Sequence, residues 1–242
     1  DLLSRRQTPT GPTSILVALK LGSQFFAPIM VVAYSYMALV PIVQPAVVKL
    51  CTTKKERRIK MHYSAKQVSR LTRILFPIVV ALVAGLIAPA SLSLVGMLMF
   101  GNLIRECGIL KSLSETAQNA FSNIITLLLG ITIASQMKAE QFVQWETLMI
   151  MGLGLFAFIF DTVGGVMCAK LMNLFSREKI NPMVGAAGIS AFPMAARVVE
   201  KMGIKEDPSN HLLMHAVGAN VSGQIASAIV GGLIIGLVQA LL

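Results

Sequence analysis

Three polar side chains stand inside strongly apolar stretches of this sequence. Asp161 interrupts "FIFDTVGG", Arg197 follows "SAFPMAA", and Asn220 lies in "HAVGANVSGQIAS" between Gly218 and Gly223. Polar and ionisable groups at membrane depth are costly, so each is a candidate for function. Asp161 reads as an ion or proton site, or as a buried acid paired with another helix. Arg197 reads as an anion clamp, because a guanidinium grips a carboxylate through two parallel hydrogen bonds, or as half of a structural pair. Asn220 offers an amide oxygen suited to a small hard cation, or an interhelical hydrogen bond. His211 and His215 would share a helix face at i, i+4. The glutamate of a zinc-protease motif is missing between them, and they read as a satisfied pair near a span end. Cys51, Cys107 and Cys168 have no metal-site spacing and read as buried thiols. Asn220-Val-Ser222 matches a glycosylation sequon but falls within a span. Gly232 and Gly236 have the spacing that lets helices approach closely.

These residues need elements to hold them, and the composition says what kind. Hydrophobic residues make up 55% of the 242, charged ones 13%, and the net charge is +10. Soluble domains carry about 25% charge, so a polytopic membrane protein in a lipid bilayer is expected. Nucleic-acid binding is disfavoured, because the basic residues gather in one short stretch between apolar segments. Residues 25–50 are long enough to span, with Pro28, Pro41 and Pro45 expected to kink or break the helix. Residues 52–73 form the basic loop. Residues 74–88 and 90–104 read as a tight helical hairpin about Pro89. Residues 109–121 read as amphipathic and interfacial, and 122–136 as a shorter apolar run. Residues 147–175 and 211–242 hold full spans.

Lysines and arginines near span ends resist translocation, which places the 52–73 loop in the cytoplasm. Alternate crossings then return Arg105, Lys111, Lys170, Arg177 and Lys179 to the same side. The stretch "NPMVGAAGISAFPMAARVVEKM", residues 181–202, starts at that face and is followed within a few residues by Lys205, Glu206 and Asp207. Gly185, Gly188 and Pro193 weaken a helix within it. The expectation is a re-entrant hairpin at about 181–200, the alternative an interfacial segment. Irregular backbone survives at membrane depth only where protein buries it or a wet cavity satisfies it. Broken helices of that kind form the ion and substrate sites of transporters.

Four stretches taken together, "GPTSILVALKLGSQFFAPIMVVAYSYMALVPIVQP", "FGNLIRECG", "NPMVGAAGISAFPMAARVV" and "LLMHAVGANVSGQIAS", resemble the β-subunit of the sodium-pumping biotin-dependent decarboxylases. Oxaloacetate, methylmalonyl-CoA and glutaconyl-CoA decarboxylases share that subunit. The resemblance runs from about Gly11 to the C-terminus. It implies an all-α polytopic membrane protein with an inverted-repeat, transporter-like fold, two broken-helix hairpins and a homotrimeric assembly in the bacterial inner membrane. It implies a subunit that decarboxylates carboxybiotin, not covalently bound here, and couples that step to Na+ export. The implied partners are carboxyltransferase and biotin-carrier subunits and small membrane subunits. The acyl substrate is chosen by another subunit.

Site residues carry over by motif. The resemblance makes Arg197, Tyr36 and Ser190 the catalytic candidates, with Tyr34 the alternative to Tyr36. Asn181, Gly185, Ser190 and Asn220 become ion-site candidates, with Na+ held chiefly at Asn220 and Ser190. The family's "GPT" is preceded by Ala-Asp, whereas Thr8-Pro9-Thr10 stands here. Thr10 therefore takes the aspartate's place among the ion-site candidates, with a hydroxyl that can ligate sodium but no charge and no group that titrates near neutrality. Residues 1–10 read as an atypical remnant ahead of a membrane domain at 11–242, with the family's first half missing. With G at each wobble position, codons for Thr-Pro-Thr-Gly read one frame over contain Ala-Asp-Gly, which suggests a broken reading frame. An ion-coupled carboxylate transporter and an inactive truncated remnant are the competing readings.

Overall fold

The computed structural model describes residues 12–23, 25–61, 68–136, 144–189, 191 and 194–241, and every regular element among them is helical. The elements are α1 (Pro12–Lys20), α2 (Phe26–Cys51), α3 (Lys54–Arg57), α4 (Arg70–Ile87), α5 (Leu92–Cys107), α6 (Lys111–Thr116), α7 (Ser122–Gln136), α8 (Trp145–Phe175), α9 (Pro182–Gly185), α10 (Met194–Glu206) and α11 (Leu213–Leu241). Among the described residues three helices, α4, α8 and α11, are long and apolar enough to cross a membrane, or up to four if the bent α2 is one span. The protein is an all-α polytopic membrane protein.

The prolines explain the bend. Segments Phe26–Tyr36 and Ala38–Cys51 meet at 60°. Pro41 has no N–H for the carbonyl four residues back, at position 37, and its ring crowds that carbonyl. Two expected crossings are shorter than a bilayer core. The 16 residues of α5 reach about 24 Å and the 15 of α7 about 22 Å, against a hydrocarbon thickness of about 30 Å. The interfacial segment and the run after it form one helical stretch. A π-helical turn, Ala117–Phe121, joins α6 to α7.

The chain divides into two compact units. One holds residues 12–31, 65–144 and 227–242, and its centre is the α4–α5 hairpin. Ser69 caps α4 by accepting from the Thr72 N–H at 3.2 Å. The 3₁₀ turn Pro89–Ser91 reverses the chain, with the Ser91 N–H and hydroxyl both donating to the Ala88 carbonyl. Gly108, at φ +70°, ends α5 in a left-handed conformation that suits glycine. Ser91 leaves no room for a Cβ on Gly232, whereas Gly236 has nothing within 4 Å, so only the first of the two spaced glycines makes a close approach.

The other described unit holds residues 32–61, 145–189, 191 and 194–226. Its core joins Val40 and Val48 of α2, Val166 of α8, Met183 to Ile189, Ala195 to Val199 of α10, and Leu212 and Ala216 at the start of α11. Most of the described residues in 181–191 and 194–203 therefore pack as interior.

Two expectations need correction. The cysteines are free but not buried: Cys51 and Cys107 are half-buried and Cys168 is exposed. An apolar neighbourhood does not separate core from lipid-facing surface, because both are apolar in a membrane helix. Nor do His211 and His215 share a helix face. Helix α11 starts at Leu213, and the His211 ring instead meets Glu200, Nδ1 to Oε1 at 2.9 Å.

Candidate functional site

The site grows from the broken helix between α8 and α10. Asn173, near the end of α8, brackets the chain before the break. It donates to the Ile180 carbonyl at 2.7 Å and accepts from the Ile180 N–H at 2.7 Å. Asn181 then caps α9, its Oδ1 accepting from the Met183 N–H at 3.1 Å, with Pro182 at the first helical position where no donor is needed. Its Nδ2 donates to the carbonyls of Arg57 and Ile59, both at 2.9 Å. Asn181 is wholly buried and its amide is engaged with backbone on both ends. Gly185 lies against Gly165 of α8 so closely that a Cβ on either would strike the other's carbonyl. Glycine is needed here for approach, not for torsional freedom.

A 3₁₀ turn, Ala186–Gly188, follows α9, and Ile189 is extended at φ −70°, ψ 157°. Here the helical ladder stops and its carbonyls need other donors. Two buried amides supply them. Gln44 of α2 donates through Nε2 to the Ala186 carbonyl at 2.8 Å. Asn220 of α11 donates through Nδ2 to the carbonyls of Ala187 at 2.8 Å and Ile189 at 2.5 Å. Both side chains are fully buried, and neither Gln44 Oε1 nor Asn220 Oδ1 has a partner among the described residues. Gly223, one turn beyond Asn220, lets α11 come against the Gly188 carbonyl.

The other predicted residues are placed less centrally. Arg197 sits half-buried on α10, the arm after the break. The Tyr36 hydroxyl donates to the Met151 carbonyl of α8, and its ring lies over Gly154. Gly154 and Gly165 are 11 residues apart, about 16 Å along the helix. Tyr36 thus meets α8 at a different level from the break. Ser190 and Thr10 lie outside the described residues. Asp161 falls on the α8 face shared by Gly154 and Gly165, is exposed, and enters none of the ion pairs among the described residues. Its reading as a paired buried acid finds no partner there.

Charged side chains gather around the mouth of this broken helix. Thr53 and Glu56 form a reciprocal cap on α3, and Lys170 of α8 reaches Glu56 Oε1 at 3.0 Å. Burial pushes the Glu56 carboxyl up, but the Thr53 N–H, Lys170 and the Thr53 hydroxyl together outweigh it and hold the carboxyl below its ordinary range. Arg57, 8% exposed, donates through Nε to Glu206 Oε1 at 2.7 Å and through a terminal nitrogen to the Thr52 carbonyl at 2.6 Å. That hydrogen bond from Arg57 lowers the Glu206 carboxyl. Asp207 is held down to about 2, chiefly by the hydroxyl and N–H of Ser209, with Lys60 adding to them.

Gln44 is a residue that sequence reasoning missed. Its only signal was a lone amide between two prolines, "PIVQP", in an otherwise apolar stretch.

The pattern of the family described as Na+-transporting oxaloacetate decarboxylase beta subunit matches residues 8–238. The chain is 52% identical over 227 residues to the methylmalonyl-CoA decarboxylase subunit beta of Propionigenium modestum, covering 94% of this chain and 57% of that protein. It is 49% identical over 231 residues to the oxaloacetate decarboxylase beta chain of Klebsiella pneumoniae, covering 96% and 53%. With the methylmalonyl-CoA decarboxylase subunit beta of Veillonella parvula it shares 50% over 222 residues, covering 92% and 59%. The chain therefore spans little more than half the length of these relatives. With the match running almost from end to end of the chain, it belongs to the family of Na+-transporting oxaloacetate decarboxylase beta subunits.

Proposed function

We propose that this chain acts as membrane subunit of a sodium-pumping decarboxylase in a bacterial inner membrane, coupling decarboxylation of carboxybiotin to Na+ export. The observation that carries the reading is Asn220. Its nitrogen is locked onto the Ala187 and Ile189 carbonyls at the helix break, leaving a buried, unpartnered Oδ1 beside irregular backbone. Reversing the amide would set its oxygen against two carbonyl oxygens, so the orientation is dictated. A neutral oxygen beside a broken helix suits a sodium ion, which exchanges hydration for protein oxygens. Ser190 and Thr10 are proposed as further ion ligands, while Asn181 and Gly185 set where the break falls.

Arg197 is proposed to hold the carboxylate of carboxybiotin presented by a carboxyltransferase or biotin-carrier partner. A half-buried guanidinium fits that group through paired hydrogen bonds. Biotin supplies a labile carboxyl when presented, and this chain's part is to orient it and to link its loss to ion release. Tyr36, anchored on α8, is proposed to act in the proton step. Small membrane subunits, a homotrimer, and an inverted repeat with 181–200 as a re-entrant hairpin complete the proposal.

The test is decarboxylation-driven sodium-22 transport in liposomes holding the chain with its copurified partners. Arg197→Ala is expected to abolish sodium-dependent carboxybiotin decarboxylation, and Asn220→Ala to abolish transport. Unchanged rates in both would end the reading. Sodium uptake with no biotin-bearing partner present would favour a carboxylate transporter instead.

A further inference from the structure

Asn220 is not the only amide at the break. Gln44 comes from a helix far away in sequence, yet it grips the carbonyl of Ala186, immediately before the Ala187 carbonyl held by Asn220. The two amides repeat one arrangement: fully buried side chain, nitrogen donated to the hairpin backbone, oxygen left over. As with Asn220, the orientation is fixed, because reversal would press Oε1 against the Ala186 oxygen. An amide oxygen buried without a partner is costly, so something must cover it or the fold must bear the loss. Pro45 adds to the local excess of acceptors. It has no N–H for the Pro41 carbonyl, and a helical side chain lies over the turn before its own Cα, which for Gln44 is the turn of Pro41. Gln44 Oε1, which has no partner among the described residues, therefore lies on α2 near a carbonyl deprived of its i+4 helical donor. Such a surplus of neutral oxygens repels anions and suits a small hard cation.

We propose that Gln44 is a further ligand and selectivity-determining residue of the cation site, presenting Oε1 from α2 opposite Asn220 Oδ1 from α11. This rests on the reading of Asn220 as an ion ligand. It adds that the ion joins α2 and α11 across the tip of the broken helix, so occupancy is felt by both helices at once. The near-isosteric Gln44→Met loses the oxygen, whereas Gln44→Glu keeps an oxygen and adds a charge.

The experiment is equilibrium sodium-22 binding to the full chain in detergent, with lithium and potassium as competitors. Gln44→Met is expected to raise the half-saturating sodium concentration by about tenfold or more, the scale of one lost ligand. Gln44→Glu is expected to make sodium half-saturation fall as pH rises and to change the lithium-to-sodium preference. If Asn220→Ala loses binding while both Gln44 variants bind as the unsubstituted chain does, the Gln44 inference is overturned and the Asn220 reading stands. If the unsubstituted chain shows no saturable binding, or Asn220→Ala leaves binding unchanged, the site reading itself fails. Should Gln44→Met not fold, Gln44→Glu decides: pH-independent binding with unaltered preference overturns the inference.

Discussion

Among the described residues, the turn between α4 and α5 and the break between α9 and α10 meet the same backbone problem differently. Between α4 and α5 the turn serves itself: Ser91 donates twice to the Ala88 carbonyl, three residues away. Between α9 and α10 the carbonyls of the break are served from afar, by Gln44 at a separation of 142 residues and by Asn220 at 33 and 31. A self-contained turn fixes geometry locally and leaves nothing over. A break held by distant amides ties α2 and α11 to the segment after α9 and leaves two amide oxygens without partners among the described residues. That difference separates a turn closed on itself from a break with buried acceptors to spare.

The largest expected effect tests how close the distant helices must come. Gly223→Val drives its side chain into the Gly188 carbonyl and is expected to cost more than about 3 kcal/mol or to prevent folding. Gly236→Ala, on the same helix with open space around it, should shift the melting temperature little. Thermal melts in detergent compare the two. Asn220→Leu removes donors from two buried carbonyls and is expected to cost about 2–4 kcal/mol. Gln44→Leu removes one and should cost about half as much. If the order of those two reverses, the break is held mainly from α2.

The charged mouth gives a pH signature. The Glu206 and Asp207 carboxyls are both lower in the folded protein than their ordinary values of 4.5 and 3.8. A depressed carboxyl stabilises the fold above its unfolded pKa and ceases to do so as pH falls through its folded one. Stability should therefore decline from about pH 4.5 toward pH 2. Glu206→Gln, which leaves the nearly buried Arg57 without its anion, should remove part of that slope and lower stability by about 2–3 kcal/mol at neutral pH. The smallest effect belongs to the self-contained turn: Ser91→Ala should cost about 1 kcal/mol and leave sodium binding unchanged. A change in binding there would break the distinction between the turn and the break.

Much of this was legible in the residues. The spans read as 147–175 and 211–242 form helices at Trp145–Phe175 and Leu213–Leu241, because uninterrupted apolar length is a local signal. Gly185 and Gly188 pointed to the interruption of the helix, and Asn220 stood out as an amide between glycines. Gln44 did not, because its meaning depends on a carbonyl far away in the chain. Asn181 could be singled out by its motif, but not its hold on the Arg57 and Ile59 carbonyls. Cys168 shows the reverse limit: composition marks a residue as apolar company without saying whether protein or lipid is the neighbour.

The hydrogen bonds of Asn181 have a consequence for motion. The same amide that starts the broken helix also carries the carbonyls of Arg57 and Ile59, and Asn210, beyond the other arm, donates to that Ile59 carbonyl at 2.9 Å. Both ends of the stretch from Asn181 to Asn210 are thus fastened to one strap of chain. Any swing that exposed the site to alternate sides would have to carry residues 57–59 along as cargo. Under the proposed transport function, substitutions that loosen this strap are therefore expected to alter transport rate more than ion affinity.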